Sequence, residues 1–166
     1  MKIKGKVWKF GDDVNTDLII AGKYKLSITD IDELSKHTME ALIPDFAKRV
    51  EKGDIIVAGK NFGCGSSREQ APLVLKRIGI GAVIAKSFAR IFYRNAINIG
   101  LPAIECKDAD KIMNGNLLEI NLSEGRIENL TKNEGYEFRP IPSALLDLLV
   151  SGGLVNYVKK HSNLPW

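Results

Sequence analysis

The chain has 166 residues and a mass of 18.3 kDa, long enough for a full hydrophobic core without disulfide or metal staples. Hydrophobic residues at 45% and charged residues at 27% exclude a disordered chain, and a net charge of +4 spread along the sequence marks no basic patch for nucleic acid or membrane. No apolar run approaches the roughly 18 residues of a membrane helix, and the N-terminal MKIKGKVWKF lacks the apolar stretch of a signal peptide, so a cytoplasmic protein is expected.

Residues 2–10 read as a strand with Ile3, Val7 and Phe10 on one side. Residues 11–17 are polar and without period; Leu18-Ile19-Ile20 then leads into a loop by composition over residues 21–27. Thr29, with Asp32 three residues on, starts a helix whose stripe of Ile31, Leu34 and Met39 runs to Glu40, and Phe46, Ala47 and Val50 suggest a second, short one. Residues 55–58 and 82–85 are short apolar runs of the kind that fill buried strands, and 102–105 is a third. Between them, Ser66-Ser67-Arg68-Glu69 reads as a capping box opening a helix with Ala71, Val74, Leu75 and Ile78 inward; Ser87 is the expected cap of a helix ending at Gly100. This alternation predicts a parallel sheet. The remainder reads as antiparallel strands over 117–122, 126–130 and 136–138, then helices over 142–150 and 154–160 split by Gly152-Gly153. The expectation is a single domain over 1–166, an α/β fold with a mostly parallel core sheet plus a small antiparallel element.

Chemistry concentrates in Asn61-Phe62-Gly63-Cys64-Gly65-Ser66-Ser67-Arg68-Glu69. Flexible glycines there deliver two hydroxyls and a guanidinium to a helix N-terminus, whose free N–H groups and dipole suit carboxylate oxygens or a serine alkoxide. The same residues would also serve simply as cap and turn. The segment is neither a P-loop nor a Gly-x-Ser-x-Gly elbow, and neither His37 nor His161 is placed to act as its base. Asp17, in Asn15-Thr16-Asp17, is a second candidate, and Arg90, following a strand, could meet an anion. Cys64 and Cys106 read as free thiols. With no nearby His they cannot hold an iron–sulfur cluster or a closed zinc site, so no metal is expected on this chain.

Three segments together, Gly11 to Ile20, Asn61 to Glu69 and Ala85 to Asn95, with Gly152-Gly153-Leu154-Val155-Asn156-Tyr157 near the end, resemble in order and spacing the small subunits of 3-isopropylmalate dehydratase. The resemblance implies the swivelling β/β/α domain of the aconitase superfamily (aconitase C-terminal-domain-like) and a hydro-lyase that isomerises 2- and 3-isopropylmalate in leucine biosynthesis. It implies a large-subunit partner, in a heterodimer or heterotetramer, carrying a [4Fe-4S] cluster that acts as Lewis acid on the substrate. Ser66 then corresponds to the base, Ser67 and Arg68 to substrate-holding groups, and Asp17 to the active-site Asp that orients a catalytic His on the large subunit. Substrate choice falls to Tyr24, Lys25, Leu26 and Ser27. An apolar Leu26 there suits an isopropyl group and cannot pair with an extra carboxylate, whereas the neighbouring Lys25 leaves homoaconitate, dimethylmalate or citramalate open. A non-catalytic carboxylate-binding module is the alternative of a different class.

Overall fold

A computed structural model describes residues 1–166. Its strands are β1 (Lys2–Lys9), β2 (Ile55–Ala58), β3 (Ala82–Ala85), β4 (Ala103–Glu105), β5 (Leu117–Asn121), β6 (Arg126–Asn129) and β7 (Glu134–Glu137). The helices are α1 (Thr16–Ile19), α2 (Gly22–Ser27), α3 (Ile31–Ser35), α4 (Phe46–Arg49), α5 (Gln70–Arg77), α6 (Arg90–Asn98), α7 (Ser143–Val150) and α8 (Leu154–His161), with a 3-10 turn at Ala109–Lys111. No helix is long and apolar enough to cross a membrane.

One seven-stranded sheet runs in the order β4-β3-β2-β1-β5-β6-β7. Pairing is parallel from β4 to β1 and antiparallel from β1 to β7. The antiparallel element is therefore continuous with the parallel core, because β1 pairs with β2 on one side and β5 on the other. Every residue of β2 and β3 is buried, which is why both strands read as unbroken apolar runs. Their alternate side chains feed two cores. Ile55, Val57, Ala82 and Ile84 join Ile3, Val7, Leu118, Ile120 and Leu148 on one face, while Ile56, Ala58, Val83 and Ala85 meet α5 and α6 on the other.

Several local expectations change. Phe10 does not share a face with Ile3 and Val7: the strand period of two sends it, with Trp8, to the opposite core, where both rings pack edge-on against Phe46 at 5.9 and 5.1 Å. Residues 22–27 form a helix rather than a loop. The helix expected over 29–40 is only α3, capped by Asp30, whose carboxylate accepts the Asp32 and Glu33 amides at 2.8 and 3.0 Å. It stops because Met39 turns to φ +53° and its amide donates to the Ile19 carbonyl at 2.8 Å. Neither serine cap forms: α5 begins at Gln70 and α6 at Arg90, and the Ser87 hydroxyl instead accepts the Asn61 amide at 2.8 Å.

Gly63 sits where the loop after β2 crosses α6. It has φ +82°, and a Cβ there would lie 2.2 Å from the Phe92 ring. Gly63→Ala is expected to lower stability by about 2–4 kcal/mol in urea unfolding, combining the left-handed backbone term with overpacking. Gly115→Ala, at φ +82° with nothing within 4 Å, should cost only about 1 kcal/mol, from the backbone alone. Equal losses in the two variants would contradict the packing argument.

Candidate active site

The loops that leave the carboxyl ends of β1, β2 and β3 emerge at one edge of the parallel sheet, the edge where open α/β sheets gather ligands. These loops are the three segments singled out in the sequence. Their pairing continues beyond the strands. Phe10, Asp13 and Thr16 donate their amides to Val57, Lys60 and Cys64, while Gly59 and Gly63 donate back to Gly11 and Val14, all at 2.8–3.0 Å. On the other side, Phe62 donates to Ser87 and Ala89 to Phe62, an isolated parallel bridge that joins the second loop to the third.

This zipper places Thr16 beneath Ser66. The Thr16 hydroxyl, 2% exposed, donates to the Ser66 carbonyl at 3.0 Å and lies 3.4 Å from the Ser66 hydroxyl. Thr16 has one hydroxyl proton, and the carbonyl receives it, so Ser66 is the donor in the second contact. Ser66 and Ser67 are exposed, and the amides of Gly65, Ser66 and Ser67 donate to no protein acceptor. Three free N–H groups thus surround a surface hydroxyl, an arrangement that favours a bound anion or a serine alkoxide.

Arg68 ties this loop to the next element. Its Nη1 donates to Asp17 Oδ1 at 3.0 Å and to the Ile20 carbonyl at 2.8 Å, with the side chain only 17% exposed. Asp17 Oδ1 also accepts the Gly22 amide at 2.9 Å. That amide, and then the guanidinium, hold the Asp17 carboxyl below its ordinary value. The other nitrogens of Arg68 stay free for a ligand.

Ser66, Ser67 and Arg68 line a cavity of about 210 Å³ whose far wall is the start of α6, with Arg90, Ile91 and Asn95. The lining holds two arginines and no acidic side chain, and the amides of Arg90, Ile91 and Phe92 are free at the helix N-terminus. The cavity is therefore electropositive and sized for a small carboxylate. Asp17 stands behind Arg68 rather than in the lining. Cys64 is half-buried beside the cavity, Cys106 is buried elsewhere, and both are free thiols.

The residues assigned to substrate choice lie apart from this lining. Tyr24 stacks on His37, the Ser27 hydroxyl donates to the Lys23 carbonyl of its own helix at 2.9 Å, Lys25 is half-buried, and Leu26 is 88% exposed. His161 stacks on Tyr157 at 4.3 Å, far along the chain on α8. Sequence reading missed Thr16 and Asn95. Thr16 follows the Asn15 cap of a one-turn helix too short to show a period, and only the β1–β2 register brings it under Ser66.

Comparisons with known proteins agree with this placement. The family model described as the aconitase C-terminal domain matches residues 14–109. The small subunit 1 of 3-isopropylmalate dehydratase from Thermotoga maritima is 55% identical over 163 residues, 98% of each chain. The corresponding protein from Archaeoglobus fulgidus is 59% identical over 155 residues, 93% of this chain and 96% of its own. A crystal structure of 3-isopropylmalate dehydratase from Methanocaldococcus jannaschii superposes with a TM-score of 0.90 at 52% identity, covering 98% of this chain and 96% of that one. The chain belongs to the family of 3-isopropylmalate dehydratase small subunits, hydro-lyases built on the aconitase C-terminal domain.

Proposed function

We propose that this chain is a single domain over 1–166 that acts in the cytoplasm, docks on a large subunit and supplies Ser66 as the base in the isomerisation of isopropylmalate. The observation that carries the reading is Ser66 itself: an exposed hydroxyl among three free amides, on an electropositive cavity with Arg68 at its wall. As alkoxide, Ser66 Oγ takes the proton from the carbon next to a carboxylate. The electron pair of that C–H bond becomes the new carbon–carbon double bond, and hydroxide leaves from the neighbouring carbon. Returning the proton and water to the opposite carbons gives the isomer.

An aconitase-type reaction implies an iron–sulfur cluster. This chain's residues do not fit one: no three His, Cys, Asp or Glu side chains are grouped to hold a metal ion, and its two thiols are on separate loops. The cluster belongs to the large-subunit partner, and the roles assigned here concern this chain's own groups. Arg68 and Ser67 hold a substrate carboxylate. Asp17 keeps Arg68 in place through Oδ1 and turns its other oxygen outward, toward a His of the partner. Thr16 swings its hydroxyl proton from the Ser66 carbonyl to the alkoxide when Ser66 ionises.

Substrate choice rests with α2. Leu26 is the most exposed large apolar side chain of the protein, a face left open for an isopropyl group rather than for this chain's own core.

The deciding experiment reconstitutes this chain with a cluster-loaded large subunit without oxygen and follows the unsaturated intermediate from 3-isopropylmalate and from homoaconitate. Ser66→Ala should lower kcat by roughly 10²–10⁴-fold with the fold and the complex intact; unchanged turnover would remove Ser66 from the mechanism. Thr16→Val, equal in shape, should lower kcat by about tenfold or more, and a Thr16→Ser variant should restore most of it. Leu26→Arg should move the ratio of kcat/KM toward homoaconitate by about tenfold or more; an unmoved ratio would place the discriminator elsewhere.

The pH dependence follows from Asp17. A carboxyl held low in the folded state contributes to stability above its unfolded pKa of about 4 and loses that contribution only as pH falls through its lower folded value. Asp17 is therefore charged from pH 5 to 8. The activity ratio of wild type to Asp17→Asn should be flat across that window, and an acidic limb lost in the variant would contradict this.

A further inference from the structure

His37 is a side chain that the proposed reaction leaves unused, yet it is part of the most ordered contact made by α2. This helix buries none of its residues. At its start the Gly22 amide is held by Asp17, and along its length Tyr24 lies flat on His37, ring centroids 3.8 Å apart and planes 11° from parallel. His37 Nδ1 in turn lies 3.1 and 3.2 Å from the two oxygens of Glu40. The Glu40 carboxylate stands beside the Tyr24 hydroxyl as well and raises its pKa above the ordinary phenol value, while Lys23 sits 4.9 Å over the Tyr24 ring.

The ground beneath this cluster is rigid. Between His37 and Glu40, Thr38 and Met39 are completely buried. The Thr38 hydroxyl donates to the Ser35 carbonyl at 2.6 Å, and the Met39 amide donates to Ile19, the last residue of α1. A helix with no buried residue is thus clamped through one aromatic side chain to a turn fixed in the core, and that turn is fastened to the element that carries Asp17. Loosely attached elements of this kind open at low free-energy cost unless a specific contact holds them.

We infer that His37 and Glu40 are positioning residues for substrate selection: by clamping Tyr24 they set the orientation in which α2 presents Leu26. The inference rests on the reading that α2 faces the substrate. Neither residue touches the reacting atoms, and both act through Tyr24.

Two measurements test this on wild type, His37→Ala and His37→Phe. The first is amide hydrogen exchange of the full chain, and the second is steady-state kinetics of the reconstituted complex on 3-isopropylmalate. In His37→Ala the amides of residues 24–28 should exchange about tenfold faster or more, with those of β2 and β3 unchanged. KM should rise about five- to tenfold with kcat within about twofold, the split expected when substrate presentation is lost and the base is intact. His37→Phe, which keeps a flat ring under Tyr24, should restore both, and Glu40→Gln should move both in the same direction by less. Unchanged exchange in His37→Ala, or no restoration by Phe, would overturn the clamp and leave the Leu26 reading standing. Faster exchange with unchanged KM would overturn the role of α2 in substrate selection, and the inference with it.

Discussion

Two loops that leave the neighbouring parallel strands β1 and β2 do not stop pairing where the strands stop. Amide–carbonyl bonds from Phe10–Val57 through Thr16–Cys64 carry the register of the sheet into residues that have no regular structure of their own. Each of these buried or half-buried polar groups would be costly to leave unpaired, so the two loops are fixed to each other almost as firmly as the strands beneath them. Everything at the site follows from that register. Thr16 comes to rest under Ser66, Asp17 comes within reach of Arg68, and the bridge between Phe62 and Phe88 brings the start of α6 to the opposite wall.

The parts of this fold that were legible in the sequence are those whose environment is uniform along their length. β2 and β3 are buried on both faces, and α5 and α6 carry clear apolar stripes, so composition and period reveal them. The misreadings have a common cause in tertiary contacts. The hydroxyls of Ser66 and Ser87 fit a capping pattern, but the first faces Thr16 and the second serves the Asn61 amide, so both helices start later. α2 has no inward stripe because it buries nothing, and α3 ends early because Met39 is drawn toward Ile19. Phe10 was set on the wrong face although the period of two places it correctly. Of the site, Ser66, Ser67, Arg68 and Asp17 were nameable through the family resemblance, but their juxtaposition depends on a pairing between residues some fifty positions apart. Thr16 carries no local signal at all.

The cavity also explains why the chain is a subunit. It assembles positive potential, free amides and a surface hydroxyl on one edge, yet its two cysteines are on separate loops and it groups no metal ligands. A base of this kind needs a low-dielectric, water-poor setting before the free amides and Arg68 favour the alkoxide strongly. An exposed Ser66 lacks that setting in the isolated chain. Docking on the large subunit would supply it, and would cover Ile91 and Leu26, the two apolar side chains left open on the elements beside the site. Division into two chains then acts as a switch: the proton-transfer group is built here and becomes a base only when covered.

The central claim is that Ser66 moves the proton, and the most direct measurement follows that proton. The reconstituted complex is given the unsaturated diacid in deuterium oxide, and the isopropylmalate formed is read by proton NMR for deuterium at the carbon next to the carboxylate. The account predicts carbon-bound deuterium with the wild-type chain. With Ser66→Ala it predicts none, even though the diacid still binds to the complex. Deuterium delivered to carbon at an undiminished rate by the Ser66→Ala complex would show that another group carries the proton and would contradict the account.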